Sequence, residues 1–259
     1  MQKQSWRIDL GWDGARFCGW QKQPNQRSIQ ETLEHVLRQL FGEDIRAFAA
    51  GRTDAGVHAM QQVVSFEAHN SREEQVVYKA LNALLPEDIC CLLARKMPIG
   101  FRARTASKSK LYRYRIRNRE IPDPLRRTRV WWIRESLNRD ILDSSVHALI
   151  GTYDFRSFQA SRCNAQTTIR TIDSFSVVEK EDEIHFEVIG KGFLRHQVRI
   201  MVGTLVDLAR GSLKNTSMKQ IRMNLDRRTA GITAPSHGLY LVWTLLHDDE
   251  KHVDSQLGS

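Results

Sequence analysis

Between residues 51 and 66 the sequence Gly-Arg-Thr-Asp-Ala-Gly-Val-His-Ala-Met-Gln-Gln-Val-Val-Ser-Phe joins a glycine-bracketed turn directly to strand-forming residues. Gly51 and Gly56 allow the backbone to reverse sharply and allow another group to come close. The turn displays a single carboxylate, Asp54, with Arg52 two residues before it. A guanidinium so near favours the ionised carboxylate. One charged carboxylate suits a nucleophile or an electrostatic catalyst. It suits Mg²⁺ or Ca²⁺ poorly, because those ions gather several oxygen ligands. The bland alternative is an Asx-turn or helix-capping aspartate, the ordinary role of Asp in such a turn.

Net charge narrows the partners. The 259 residues carry 39 Lys and Arg against 30 Asp and Glu, a formal charge of +9. Such an excess favours a polyanion, RNA or DNA first, because neutralising phosphates releases counterions. Cys18, Cys90, Cys91 and Cys163 form neither a CxxC pair nor a zinc ligand set, and Cys90 and Cys91 would face opposite sides of a strand. The histidines are scattered, and no metal site is read. The N-terminal Met-Gln-Lys-Gln-Ser-Trp-Arg lacks the apolar core of a signal peptide, and no apolar run is long enough to cross a bilayer. A cytoplasmic protein with reduced thiols is expected.

The order of elements predicts an α+β fold in two similar halves. Residues 5–12 alternate as a strand. Ser28 and Glu31 fit a capping box ahead of Ile29, Leu33, Val36, Leu37 and Leu40, which recur at helical spacing. Strands are expected at 45–50 and 60–67, a helix at 74–84 and a strand at 88–97. After a break at 99–108 the second half opens with a strand at 109–117. A basic loop, Arg119 to Arg129, then leads to a strand at 130–133. A helix at 137–150, strands at 170–178 and 183–190, helices at 195–210 and 216–224 and a strand at 239–246 follow. The expected domains are 1–104, carrying the Asp54 loop, 105–247, and a flexible tail, 248–259.

Two further stretches could carry chemistry. Lys110-Leu-Tyr-Arg-Tyr-Arg-Ile-Arg-Asn-Arg119 alternates strictly, placing Tyr112, Tyr114 and Ile116 on one strand face and Arg113, Arg115, Arg117 and Arg119 on the other. The functional reading is an aromatic for base stacking and a basic stripe for phosphates. The alternative is a half-buried strand, preferred for Tyr114 and Ile116 and evenly balanced for the arginines. In Gly192-Phe-Leu-Arg-His-Gln-Val-Arg-Ile-Met-Val-Gly203, Gln197 and Arg199 are expected to face away from Val198, Met201, Val202 and Leu205. Arg199 could therefore project towards a cleft as a partner for Asp54; a plain surface arginine is the commoner outcome. Asp13-Gly14 and Cys18-Gly19-Trp20-Gln21 lack the Gly-Lys-Ser/Thr ending of a P-loop and read as a turn that packs Trp20 and frames a groove.

Taken in order, these segments resemble the tRNA pseudouridine synthase A family over about residues 5 to 246. The markers are Asp13-Gly14 with Gly19-Trp20-Gln21, Gly51-Arg-Thr-Asp-Ala-Gly-Val-His58, Leu81-Asn-Ala-Leu-Leu-Pro86 with Asp88-Ile89, and Tyr112-Arg-Tyr114. Gly151 to Phe158, Phe193 to Gly203 and Gly238-Leu-Tyr-Leu241 complete them. The resemblance implies two α+β subdomains with mixed or antiparallel sheets flanked by helices around a central basic cleft. It further implies a homodimer that needs no cofactor and isomerises uridine to pseudouridine at positions 38 to 40 of the tRNA anticodon arm. Carried over by position, Asp54 matches the essential aspartate. Arg52 matches an arginine that helps open the RNA and fills the space of the displaced base, Tyr112 the tyrosine that stacks on the target base, and Arg199 the basic residue paired with the aspartate. Trp12, Cys18, Gln61, Ser65, Arg195 and Ile232 depart from the family pattern. They leave those four positions intact and bear on substrate scope. Two other functions compete: a non-catalytic RNA-binding module or RNA chaperone on the same fold, and an Asp-dependent hydrolase or nuclease.

Overall fold

A computed structural model describes residues 3–161, 163 and 165–251, with side chains through 249. The chain forms two compact units. One runs through Lys110 and resumes at Leu241; the other is Leu111–Tyr240. The sequence puts the boundary near residue 104 and carries the second half to 247, whereas in the structure the last strand lies mostly in the first unit.

The first unit grows from β1 (Gln4–Trp12), which pairs antiparallel with both β3 (His58–Ala68) and β4 (Ile89–Met97). The path β4-β1-β3 ends on β10 (Leu239–Leu246), and the two-residue strand β2 (Phe48–Ala49) pairs with β3. Register puts Trp6 opposite Phe66, and their rings stack with centroids 6.0 Å apart, closed edge-on by Phe41. Phe41 ends α1 (Ile29–Phe41), whose buried face is Ile29, Leu33, Val36, Leu37 and Phe41. The Ser28 hydroxyl accepts from Glu31 N at 3.2 Å, and Gly42 terminates the helix in the left-handed region, φ 74°. Helix α2 (Glu74–Leu84) is fastened to β4 by Asn82, whose amide donates to Cys91 O and accepts from Cys91 N, each at 2.9 Å. Cys90 is exposed and Cys91 buried, as strand alternation requires.

The second unit contains a sheet of order β5-β9-β8-β7, built from β5 (Ser107–Asn118), β9 (Glu183–Gly190), β8 (Ile169–Lys180) and β7 (Gly151–Asp154). β6 (Trp131–Ile133) runs parallel to β5, while β7–β8 and β8–β9 are antiparallel. Its helices are α4 (Arg139–Val146), α5 (Gln197–Ala209) and α6 (Met218–Met223). Each unit is thus a mostly antiparallel sheet flanked by helices.

Several boundaries differ from the sequence reading. The helix expected over 137–150 starts at Arg139, capped by Asn138, and tightens into a 3-10 turn at His147–Leu149. The short strand β7 and the helix α3 (Ala103–Ala106) in the supposed break were not foreseen. The expected tail begins in order: His247–Lys251 is a 3-10 helix, and Asp249 pairs with Arg7 at 2.7 Å. Residues 252–259 lie outside the described residues. No helix among the described residues is long and apolar enough to cross a membrane.

Candidate active site

Asp54 lies half-buried at the head of a four-residue turn closed by Val57 N donating to Asp54 O at 3.2 Å. A turn of this kind needs positive φ at its third residue, and Gly56 sits there at φ 76°. Gly51 serves differently. Its missing side chain makes room for Lys110, whose Cε would lie 3.1 Å from an added Cβ. Lys110 is buried and donates to Ser107 Oγ at 2.7 Å, while Gln62 holds Gly51 O at 2.7 Å.

The loop from Asp13 to Trp20 lies directly against this turn. Trp20 N donates to Thr53 O at 3.2 Å, and Gly56 N donates to Phe17 O at 3.1 Å. Gly19 has φ 103°, and a Cβ there would fall 2.5 Å from Thr53 O, so only glycine fits. Trp20 is buried and tilts against Trp12, as the sequence reading expects of the Asp13-Gly14 and Gly19-Trp20 loop. The peptide groups on both sides of Asp54 are thus fixed while its side chain keeps partial exposure. Arg52, two residues before it, is exposed.

Tyr112 and Arg199 belong to the second unit. Tyr112, on β5, is 8% exposed and meets Phe193 edge-on, centroids 5.3 Å apart and planes 86° apart. Arg199 is the one residue of α5 that is not buried. The helix begins only at Gln197, because His196 before it is left-handed, φ 61°. Gln197, expected beside Arg199 on the open side, is buried instead, its Oε1 accepting from Leu194 N at 2.8 Å. This correction has a simple cause: α5 is covered all round, so helical phase alone could not sort its polar residues.

A strap of residues 231–235 holds Arg199 in place. Its Nε donates to Ala234 O at 2.8 Å. Gly231 N donates to Thr204 Oγ1 at 3.0 Å and Ile232 N to Asp207 Oδ2 at 2.8 Å, both acceptors lying on α5. Tyr114 lies fully buried and donates its hydroxyl to Pro235 O at 2.7 Å. Burial pushes the Tyr114 pKa well above its usual range, with the Arg199 charge pulling the other way.

The arginine stripe of β5 is spoken for within the unit. Arg113 pairs with Glu187 at 2.7 Å, and Arg115 grips Glu183 through two bonds of 2.7 and 2.8 Å. Arg117 pairs with Asp123 and Asp182, and Arg119 with Asp182 at 3.3 Å. The phosphate-binding reading of the stripe gives way to an internal ion-pair network, which single-strand alternation cannot reveal because the carboxylates come from β9 and two loops.

No group of three or more His, Cys, Asp or Glu side chains placed to hold a metal ion occurs among the described residues. Sequence reasoning gave no role to Lys110 or His58, both buried beside the Asp54 turn. The one available signal was their position inside the motifs flanking it.

A family profile described as tRNA pseudouridine synthase matches residues 11–112 and 146–244. The chain belongs to the tRNA pseudouridine synthase family. Among relatives bearing the name tRNA pseudouridine synthase A, the protein of Pelobacter propionicus is 42% identical over 236 residues, covering 91% of this chain and 97% of that protein. That of Exiguobacterium sp. is 40% identical over 242 residues, covering 93% and 97%. That of Anaplasma marginale (strain Florida) is 40% identical over 241 residues, covering 92% and 98%. Among solved structures, a chain of a Cbf5-Nop10-Gar1 complex covers 93% of this chain and 59% of its own at 11% identity and TM-score 0.35, too slight a likeness to define the fold.

Proposed function

We propose that the protein isomerises uridine to pseudouridine at positions 38 to 40 of the tRNA anticodon arm, with Asp54 as its catalytic residue. Family membership supports the reaction class. The observation that carries the site assignment is the half-buried Asp54 carboxylate, on a turn whose flanking peptide groups are hydrogen-bonded and backed by Gly19. In the reaction the N1–C1′ bond breaks, the uracil turns, a C5–C1′ bond forms, and the C5 proton is lost as N1 gains one. Net composition is unchanged, so the chemistry demands no redox cofactor. The carboxylate adds to the sugar or stabilises positive charge on it.

Tyr112 stacks on the target base, Arg52 enters the opened RNA, and Arg199 supplies the cationic group of the family motif. The target base must leave its stack at a cost of a few kcal/mol, offset by backbone contacts. The +9 charge suits such a partner. The acting species is a cytoplasmic homodimer without metal or cofactor. Mapping pseudouridine in tRNA from cells lacking the protein tests this reading. Loss at positions 38 to 40 alone is expected, and an unchanged map overturns it. Release of tritium from C5-labelled uridine separates the enzyme from a non-catalytic RNA-binding module.

A further inference from the structure

We infer that His58, with Asp13 and Gly14, forms a clasp that positions the Asp54 turn and thereby sets the turnover rate; this rests on the reading of Asp54 as the catalytic residue. His58 opens β3 and is 3% exposed. Its Nδ1 faces two groups on the loop after β1. Gly14 N lies at 3.1 Å, and Nδ1 accepts from it when unprotonated; Asp13 Oδ1 lies at 3.0 Å, and Nδ1 donates to it when protonated. Asp13 Oδ1 also accepts from Ala15 N at 3.1 Å, which keeps the carboxylate in the loop.

The end of β1 and the loop after it grip the end of the turn. Trp12 Nε1 donates to Val57 O at 3.1 Å. Gly14 passes so near that an added Cβ would stand 2.1 Å from Val57 O. Val57 N in turn closes on Asp54 O. Any shift of Val57 therefore carries to Asp54 through one short, hydrogen-bonded turn. Apolar packing alone would tolerate sliding between the two loops. Directional bonds to a buried ring fix both distance and angle. A misplacement of a reacting group by about 1 Å costs on the order of a hundredfold in rate, so this clasp touches no substrate yet governs turnover.

The test uses the full-length chain, tRNA labelled with tritium at uridine C5, and four variants. Asparagine places a polar atom near the position of Nδ1, so His58→Asn should keep kcat within about threefold of wild type. His58→Phe should lower kcat by roughly 30- to 100-fold while KM stays within about twofold. Gly14→Ala should behave like His58→Phe. Asp13→Ala, at a half-exposed position, should lower kcat several-fold with KM unchanged. Wild-type kcat in His58→Phe or Asp13→Ala, losses confined to KM, or His58→Asn as impaired as His58→Phe overturns the clasp. Should the wild type itself release no tritium, the functional reading falls and the clasp with it. Turnover by the wild type and equally by the variants sinks the clasp alone.

Discussion

Arg199 and Ala234 are joined twice: Arg199 Nε donates to Ala234 O at 2.8 Å, and Ala234 N donates to Arg199 O at 3.1 Å. The backbone of the strap therefore sets the direction of the guanidinium, and Gly203 sets how near the strap may lie. A Cβ on Gly203 would fall 2.0 Å from Ile232 O. Gly203→Ala should destabilise the protein by about 1–3 kcal/mol through overpacking and lower pseudouridine formation as Arg199 is displaced. Urea unfolding alongside a tritium-release assay checks both. An unchanged midpoint would mean the strap moves freely.

Glu183 gives the second unit an acid limit. Burial raises its pKa, but the hydrogen bonds from His185 and Arg115 prevail and hold the carboxyl down to about 2. A carboxylate held below its ordinary value of 4.5 binds its proton less tightly folded than unfolded. Its stabilisation is fully present above pH 4.5 and is lost as pH falls through about 2. Glu183→Gln should therefore flatten the stability curve over that window and lower stability at pH 7, because it removes the charge that Arg115 and His185 meet. Denaturant midpoints measured across the window decide this.

The stripe network separates stability from RNA affinity. Arg115→Ala should lower stability while leaving the salt dependence of tRNA binding unchanged, because its guanidinium is engaged by Glu183. Arg52→Ala, at an exposed position, should reduce the slope of log K against log salt by about 1. Filter binding over a salt series measures both slopes. A reduced slope for Arg115→Ala would return the stripe to the RNA-binding surface.

Tyr112 divides into ring and hydroxyl. Tyr112→Phe keeps the edge-on contact with Phe193 and the stacking face, and should retain whatever part of turnover stacking supplies. Tyr112→Ala should lose about 1–3 kcal/mol of base stacking. Single-turnover rates for the three proteins settle the ordering. Equal rates would remove Tyr112 from the mechanism.

Much of the fold was legible because its signals are local. The Ser28 and Glu31 pair marks the start of α1, and alternation fixes the inward face of β5 at Tyr112, Tyr114 and Ile116. The turn that carries Asp54 was legible in one motif, Gly51 to His58. What escaped depends on long-range contacts. Whether Arg115 meets phosphate or Glu183 is decided 68 residues away in sequence. Gln197 is polar by type but buried by the packing around α5. His58 and Gly14 gain their importance only when the start of β3 and a loop 44 residues away come together. Strand β7 has four residues, too few for a period to register.

The central claim is that one carboxylate performs the chemistry. Asp54→Asn keeps the size of the side chain and its place on the Gly56 turn while removing the charge. Tritium release from tRNA labelled at uridine C5, measured beside tRNA binding by the same protein, tests it directly. The account predicts no detectable release with binding retained; full release by Asp54→Asn would contradict it.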